Sequence, residues 1–340
     1  MNQQNNPITN LTETKYTHIS GTDNLPVCVL RIEPENPSDV RGIVQLIHGK
    51  NEHKGRYKAF MRFLASNGYL TIINDHRGHG ESVIEPDDRG YFYQGGTAAL
   101  VEDLHEITLD VKKYAAEKCG RDDLPLTLLG HSMGSLAARC YIRQYDADIS
   151  KLCLTGSPSR SDKIRQGLQV IKLLKKLEGK RARSLLAKKL IMGVSYERKY
   201  RHEGLKNAWT NSEREAVIEH NNDPLCRFNF TLNGYEEMLK MAMLAYTGDY
   251  TPQNPDMPVR FFSGEDDPCA LSRQKFVEAM RLMKSIGYSD VRCLLYKGMR
   301  HDILHEKNKM CVYRDILRFL ESDSKKASPA SNNGQTDQSK

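Results

Sequence analysis

Residues 130–134 read Gly-His-Ser-Met-Gly, which sets one serine between two glycines. A serine hydroxyl becomes a useful nucleophile only when a base removes its proton and a carboxylate orients that base. The flanking residues suit such a role. Leu126, Thr127, Leu128 and Leu129 form a short apolar run that reads as a strand, and the small and apolar residues after Gly134 read as a helix. Strand, sharp turn and helix is the setting in which G-x-S-x-G lifts a serine above a sheet edge. Glycine on both sides leaves room for a strained turn. The first amides of the following helix then face the space beside the Ser132 hydroxyl. An ordinary strand-to-helix connection could carry the same pentapeptide, so the partners of Ser132 decide its meaning.

Those partners are expected on loops that follow later strands. Residues 258–263 (PVRFFS) run into Gly264, Glu265, Asp266, Asp267 and Pro268; residues 291–296 (VRCLLY) run into Lys297, Gly298, Met299, Arg300, His301 and Asp302. Nucleophile, acid and base therefore appear in order along the chain. Asp267 is the preferred acid, because Pro268 biases it toward an extended backbone and its loop has run far enough to turn back over the sheet. Asp266 and then Glu265 are the alternatives, and a solvated acidic turn is the bland reading. His301 is the preferred base among eleven histidines, by its position after the last strand. His131 adjoins the serine but should point away from its hydroxyl and pack instead. His301 and His305 form H-x-x-x-H, yet the segment starts on a loop, shows no third ligand, and His301 is already used. No metal and no cofactor is expected, and His305 reads as a supporting or helix-surface residue. Two backbone amides should hold a developing oxyanion. Met133 supplies one, and Lys50, following His48-Gly49, supplies the other through its N–H, although a plain strand-end turn is the alternative there. The loop at 75–82 contains Arg77 and three small residues and could suggest phosphate binding; a structural loop beside the site is the preferred reading.

The elements that must carry these loops follow from the apolar runs. Strands are expected over 27–32, 42–48, 69–74, 126–129 and 151–154, with helices over 57–67 and 100–119 between them. Alternating strands and helices imply a parallel sheet covered on both faces. The rhythm breaks over residues 160–245, where the patterns are helical, and resumes with strands over 258–263 and 291–296 and a last helix over 307–322. The expected organisation is a flexible N-terminus over 1–15, a core over 16–157 and 246–322, a helical insertion over 158–245, and a disordered Ser/Asn/Gln/Lys-rich tail over 323–340. An insertion between two strands of such a sheet lies over the strand ends that carry the site.

Composition excludes several classes. With 39% hydrophobic residues and no run near 18 apolar residues, no membrane-spanning helix is expected. The N-terminus lacks the basic and apolar regions of a secretory signal, and eight scattered cysteines without C-x-x-C suit free thiols in a reducing compartment. A cytoplasmic location follows, with peripheral membrane contact as an option. The net charge of +7 is concentrated: residues 160–206 hold fifteen Lys/Arg against four Asp/Glu, so the rest of the chain is net negative. Within 167–190, leucines and isoleucines alternate with these cations. Such a segment can meet an anionic membrane, receive a charged substrate, or simply present a solvated face. Nucleic acid is not expected, because aromatic residues do not interleave with the charges.

Taken in order, LIHGKNEHKGRY, INDHRGHGES, LLGHSMGS, FSGEDDP and MRHDILHE resemble the monoacylglycerol lipase and lysophospholipase branch of the α/β-hydrolase fold, often labelled serine aminopeptidase S33 or Hydrolase_4. The resemblance spans roughly residues 25–320. It implies Ser132 as nucleophile, Asp267 as acid, His301 as base, the Lys50 and Met133 amides as oxyanion donors, and a helical cap that shapes an acyl pocket. The implied activity is hydrolysis of a lipid-like carboxylic ester, a monoacylglycerol or a lysophospholipid, with a broad carboxylesterase, an S33-type aminopeptidase or a silent binding module as alternatives. Three positions depart from the pattern: Lys50 stands where a small or apolar residue is common, Cys269 where valine is common after Asp-Pro, and Ser135 where glycine is frequent. None removes a reacting atom, and Lys50 bears most on substrate preference.

Overall fold

The computed structural model describes residues 7–192 and 194–322; residues 1–6, Gly193 and the tail over 323–340 lie outside the described residues. Eight strands form one sheet: β1 (Leu11–Ile19), β2 (Pro26–Pro34), β3 (Gly42–Ile47), β4 (Tyr69–Asn74), β5 (Leu126–His131), β6 (Lys151–Thr155), β7 (Val259–Gly264) and β8 (Val291–Tyr296). Their spatial order is β1-β2-β4-β3-β5-β6-β7-β8. β1 and β2 run antiparallel to their neighbours, and β4, β3, β5, β6, β7 and β8 are parallel.

β3, β4, β5 and β6 are buried at every position, as continuous apolar runs require when helices cover both faces. Alternate residues still feed opposite cores. Ile43, Ile47, Leu128, Leu152 and Leu154 join the core on one face, while Val44, Leu46, Leu129 and Cys153 join the other. The first face is covered by α2 (Gly96–Cys119), α3 (Met133–Tyr145) and α9 (Arg273–Ile286), the second by α1 (Lys58–Ala65) and α10 (Lys309–Glu321). Gln45 is tolerated inside β3 because its amide donates to the Leu104 carbonyl at 2.9 Å and accepts from the Thr108 hydroxyl at 2.6 Å. Lys151 is buried at the start of β6 with its ammonium on the Phe319 and Leu320 carbonyls, at 2.9 and 2.6 Å, near the end of α10, where a cation meets the negative end of the helix.

The flexible N-terminus expected over residues 1–15 is corrected from Leu11 onward. Leu11–Ile19 pairs with β2 in a nine-residue register, alternating half-buried with exposed positions. One face of this edge strand is wet, so its polar composition hides a period of two.

Between β6 and β7 the chain leaves the sheet. Among the described residues it forms α4 (Ile164–Glu178), α5 (Leu185–Met192), α6 (Val194–Tyr200), α7 (Arg214–Asn222) and α8 (Leu232–Ala245). α4 and α8 send Leu168, Ile171, Leu232, Tyr235 and Leu239 into the core that covers α2 and α3. The outer positions Leu173, Leu177, Leu186 and Leu190 stay exposed.

Candidate active site

β5 ends at His131, and Ser132 takes φ 53° and ψ −120°, a conformation that a residue with a side chain adopts only when its surroundings impose it. Its N–H donates to the Thr155 carbonyl at 2.9 Å, and its carbonyl accepts from Ser135 Oγ at 2.6 Å. The two glycines of the motif have steric reasons. A Cβ on Gly130 would lie 2.4 Å from the Gly134 carbonyl oxygen, and one on Gly134 would lie 2.1 Å from that of Ile47. Neither contact is possible, so the turn closes only with glycine at both places.

The loop after β7 brings Asp267 back over the sheet. Asp267 Oδ1 accepts from the Cys269 N–H at 2.8 Å, which fixes the carboxylate as the cap of a short turn. Asp267 Oδ2 lies 2.9 Å from His301 Nδ1, and His301 Nε2 lies 2.8 Å from Ser132 Oγ. This network assigns the Nδ1–H tautomer, with Nε2 free to accept the serine proton. Asp266 instead faces outward to the Lys199 ammonium at 3.1 Å, and Glu265 is exposed. Both Asp267 and His301 are buried. Burial would push the His301 imidazole down, but the Asp267 carboxylate overcomes this and raises it well above its ordinary value. Burial likewise opposes the charge on Asp267, and His301 holds that carboxyl below its usual range.

Met133 is the first residue of α3, a position whose N–H has no acceptor within the helix. Lys50 follows Gly49 in the loop after β3. The Gly49 N–H donates to Glu52 Oε2 at 2.7 Å, and the same oxygen accepts from the Tyr57 hydroxyl at 2.8 Å. Arg56 Nε reaches Glu52 Oε1 at 3.2 Å and Arg56 Nη2 reaches Asp302 at 2.6 Å. Asp302 also bonds His305 Nδ1 at 2.7 Å, and His305 Nε2 donates to the Arg56 carbonyl at 2.9 Å. A buried ring of charges therefore ties the Lys50 loop to the His301 loop. Burial would push the Glu52 carboxyl up, but His131 and Arg56 beside it hold it down at about 2. Two histidines at i, i+4 thus diverge: His301 faces Ser132, and His305 faces Asp302 and Arg56.

His131 bonds Thr155 Oγ1 through Nδ1 at 3.1 Å and packs beside His301. Arg77 is fully buried with its donors on Asp103 at 2.9 Å, Asp23 at 3.1 Å and the Gln94 carbonyl at 2.9 Å, so the loop at 75–82 is structural. Sequence reasoning missed two contributors. Glu52 could have been found from its Arg56 partner at i, i+4. Trp209 could not: its ring lies 5.1 Å from that of His301, and the Asp302 N–H donates to the Thr210 carbonyl at 2.7 Å, contacts across nearly a hundred residues.

Ser132 and His301 open on a cavity of about 860 Å³. Met133, Leu136, Ile164, Ile191, Leu239 and Ala242 give it apolar wall, and Lys50, Lys188 and Arg227 give it charge.

The family Hydrolase_4 (serine aminopeptidase, S33) matches residues 38–308. A monoacylglycerol lipase from Mycolicibacterium smegmatis is 26% identical over 293 residues, covering 84% of this chain and 90% of that protein. Phospholipase YtpA from Bacillus subtilis is 26% identical, covering 82% of this chain and 95% of that protein. Among solved structures, a thermostable carboxyl esterase from Bacillus coagulans superposes with a TM-score of 0.78 at 25% identity, covering 92% of this chain and 98% of that one.

Proposed function

The chain belongs to the Hydrolase_4 (serine aminopeptidase, S33) family of the α/β-hydrolase fold, and from that premise we propose that it cleaves carboxylic esters of lipid-like substrates through a Ser-His-Asp acyl-enzyme mechanism. The observation that carries the reading is the hydrogen-bonded chain from Ser132 Oγ through His301 to Asp267, open to a mainly apolar cavity. His301 Nε2 takes the Ser132 proton as Oγ bonds to the ester carbonyl carbon. The Met133 and Lys50 amides receive the oxyanion. The tetrahedral intermediate collapses by breaking the bond to the alkoxy oxygen, and His301 returns its proton to that oxygen as the alcohol leaves. Water, deprotonated by His301, then attacks the acyl-serine and the second collapse restores Ser132. Asp267 keeps the imidazole oriented and stabilises its protonated form.

Residues 158–245 act as a cap whose inner face shapes the acyl pocket. Its outer leucines and cations give peripheral contact with an anionic membrane. A monoacylglycerol or a lysophospholipid fits such a pocket; the names of the two bacterial relatives support either. A peptide's free α-ammonium fits less well, because Lys50 and Lys188 would repel it.

Ser132→Ala should lower hydrolysis of p-nitrophenyl butyrate by about 10⁴-fold or more and abolish labelling by a fluorophosphonate probe. Turnover or labelling retained in that variant defeats the reading.

A further inference from the structure

The cavity above Ser132 gathers more cations than anions. Lys50, Lys188, Lys189, Lys206 and Arg227 line it, and among the described residues none of the five forms an ion pair. Three cations of the same 160–206 segment that lie outside the cavity lining are paired: Lys175 with Glu236, Arg181 with Asp88, and Lys199 with Asp266. Of the acids in the lining, Glu52 and Asp302 are bound to Arg56. The third, Glu197, accepts from the Asn207 N–H at 3.0 Å and offsets only part of the charge.

Two of the cations converge. The Lys50 ammonium donates to Asn51 Oδ1 and stands 4.4 Å from the centre of the Phe230 ring. The Lys188 ammonium donates to Asn229 Oδ1 at 2.6 Å. Asn51 in turn donates to the Phe228 carbonyl at 2.7 Å, so an ammonium from the loop after β3 and another from α5 are both tied to the segment 228–229, which lines the cavity with them. Burial, with Lys188 adding repulsion, brings the Lys50 ammonium down to about 7. Burial and Lys206 lower that of Lys188 as well, with Glu197 opposing them. Like charges drawn out of water shed a proton, as Lys50 does in part near neutral pH, and an anion between them restores both charges. A glycerol headgroup offers no charge, and a choline headgroup brings a further cation. A phosphate monoester offers charge and several acceptor oxygens to both ammoniums.

We infer that the cavity selects an acyl ester whose alcohol carries a phosphate monoester, seated between Lys50 and Lys188. The inference rests on the proposed ester hydrolysis at Ser132 and adds the headgroup class to it. The Lys50 amide and the Lys50 ammonium then have separate tasks, one toward the oxyanion and one toward the headgroup.

The test uses the full chain at fixed ionic strength with octanoyl esters below their micellar concentrations, so that no lipid surface is present. The substrates are 1-octanoylglycerol 3-phosphate, 1-octanoylglycerol and 1-octanoyl-glycero-3-phosphocholine. The expected kcat/KM is at least tenfold higher for the phosphate monoester than for either other ester. Lys188→Met and Lys50→Met should each shrink that ratio at least fivefold, mainly through KM, and Lys50→Arg should restore part of it. A measurement that needs no variant is inhibition of p-nitrophenyl butyrate hydrolysis by 1-O-octylglycerol 3-phosphate, expected at tenfold lower concentration than 1-O-octylglycerol. Equal rates on the three esters, equal inhibition by the two ethers, or a preference unmoved in both methionine variants overturns the inference. Inorganic phosphate inhibiting as strongly as the ether phosphate also overturns it, assigning the cations to a free anion. Loss of all ester turnover in the wild-type protein is a different result, since it fails the reading of Ser132 itself.

Discussion

At the residue scale, the arrangement divides the acids of one loop by what they touch. Asp267 contacts only buried donors, including His301 Nδ1, whereas Asp266 contacts an exposed lysine. Asp267→Asn should therefore lower kcat by roughly 10³–10⁴-fold, since an amide no longer holds the required imidazole tautomer. Asp266→Asn should stay within about twofold in steady-state kinetics, as an exposed ion pair contributes little. The sign of the pH dependence follows from His301. Its imidazole is raised by Asp267 and works as a base only when neutral. Activity is then complete above the folded value and lost as pH falls through it. The acidic limb of kcat/KM should lie above the ordinary imidazole value of about 6.5, and a limb at or below that value would deny His301 the role. Asp267 was legible in sequence over its neighbours because Pro268 restricts it. Glu52 was not, because its meaning lies in the Gly49 amide that it grips.

At the element scale, the loops after β3 and β8 are held in one register by the ring of Glu52, Arg56, Asp302 and His305. Glu52 touches no reacting atom; it positions the Lys50 amide by holding the amide before it. Glu52→Gln keeps the shape but weakens the ion pair. It should lower kcat by about 10-fold or more with a smaller change in KM, because an oxyanion donor acts in the transition state. Its stability should also respond to pH with a definite sign. A carboxyl depressed to about 2 contributes stability that is present above its unfolded value and lost as pH falls through the folded one. The gap in urea midpoint between wild type and Glu52→Gln should therefore close between about pH 4.5 and pH 2, and a gap independent of pH would contradict this account. The turn between β5 and α3 has a simpler test. Gly134→Ala forces a carbon against the β3 backbone and should destabilise the protein by about 1–3 kcal/mol or more, read by urea unfolding.

At the scale of the whole molecule, charge and apolar exposure meet on the outer side of α4 and α5. Leu173, Leu177, Leu186 and Leu190 are exposed among lysines, and among the described residues no helix is long and apolar enough to cross a membrane. This composition suits a face that rests on an anionic surface. Co-sedimentation with vesicles rich in phosphatidylglycerol should fall several-fold between 50 and 300 mM salt, and Leu173→Ser with Leu177→Ser should reduce it further at every salt concentration. Binding that ignores salt and both substitutions would leave this face solvated. The same basic run supplies Lys188 to the interior and Lys175 to an outer ion pair with Glu236. The summed charge of residues 160–206 therefore hides two environments.

What the sequence determined by itself was local in origin. Buried parallel strands show as unbroken apolar runs, the elbow shows as a strand followed by G-x-S-x-G, and the acid and base show as polar loops at the ends of later strands. Each depends on neighbours within a few residues. The edge strand β1 escaped because one of its faces is wet and its alternation is polar. Only the tertiary structure decided which atoms meet: Glu52 beneath Gly49, Trp209 beside His301, Lys50 over Phe230 and Lys188 on Asn229. These contacts join segments far apart in the chain, and their energies depend on a burial that no single segment creates. Two lysines are unremarkable in a sequence, but they repel when a cavity removes their water, and that repulsion bears on what the Ser132 pocket accepts.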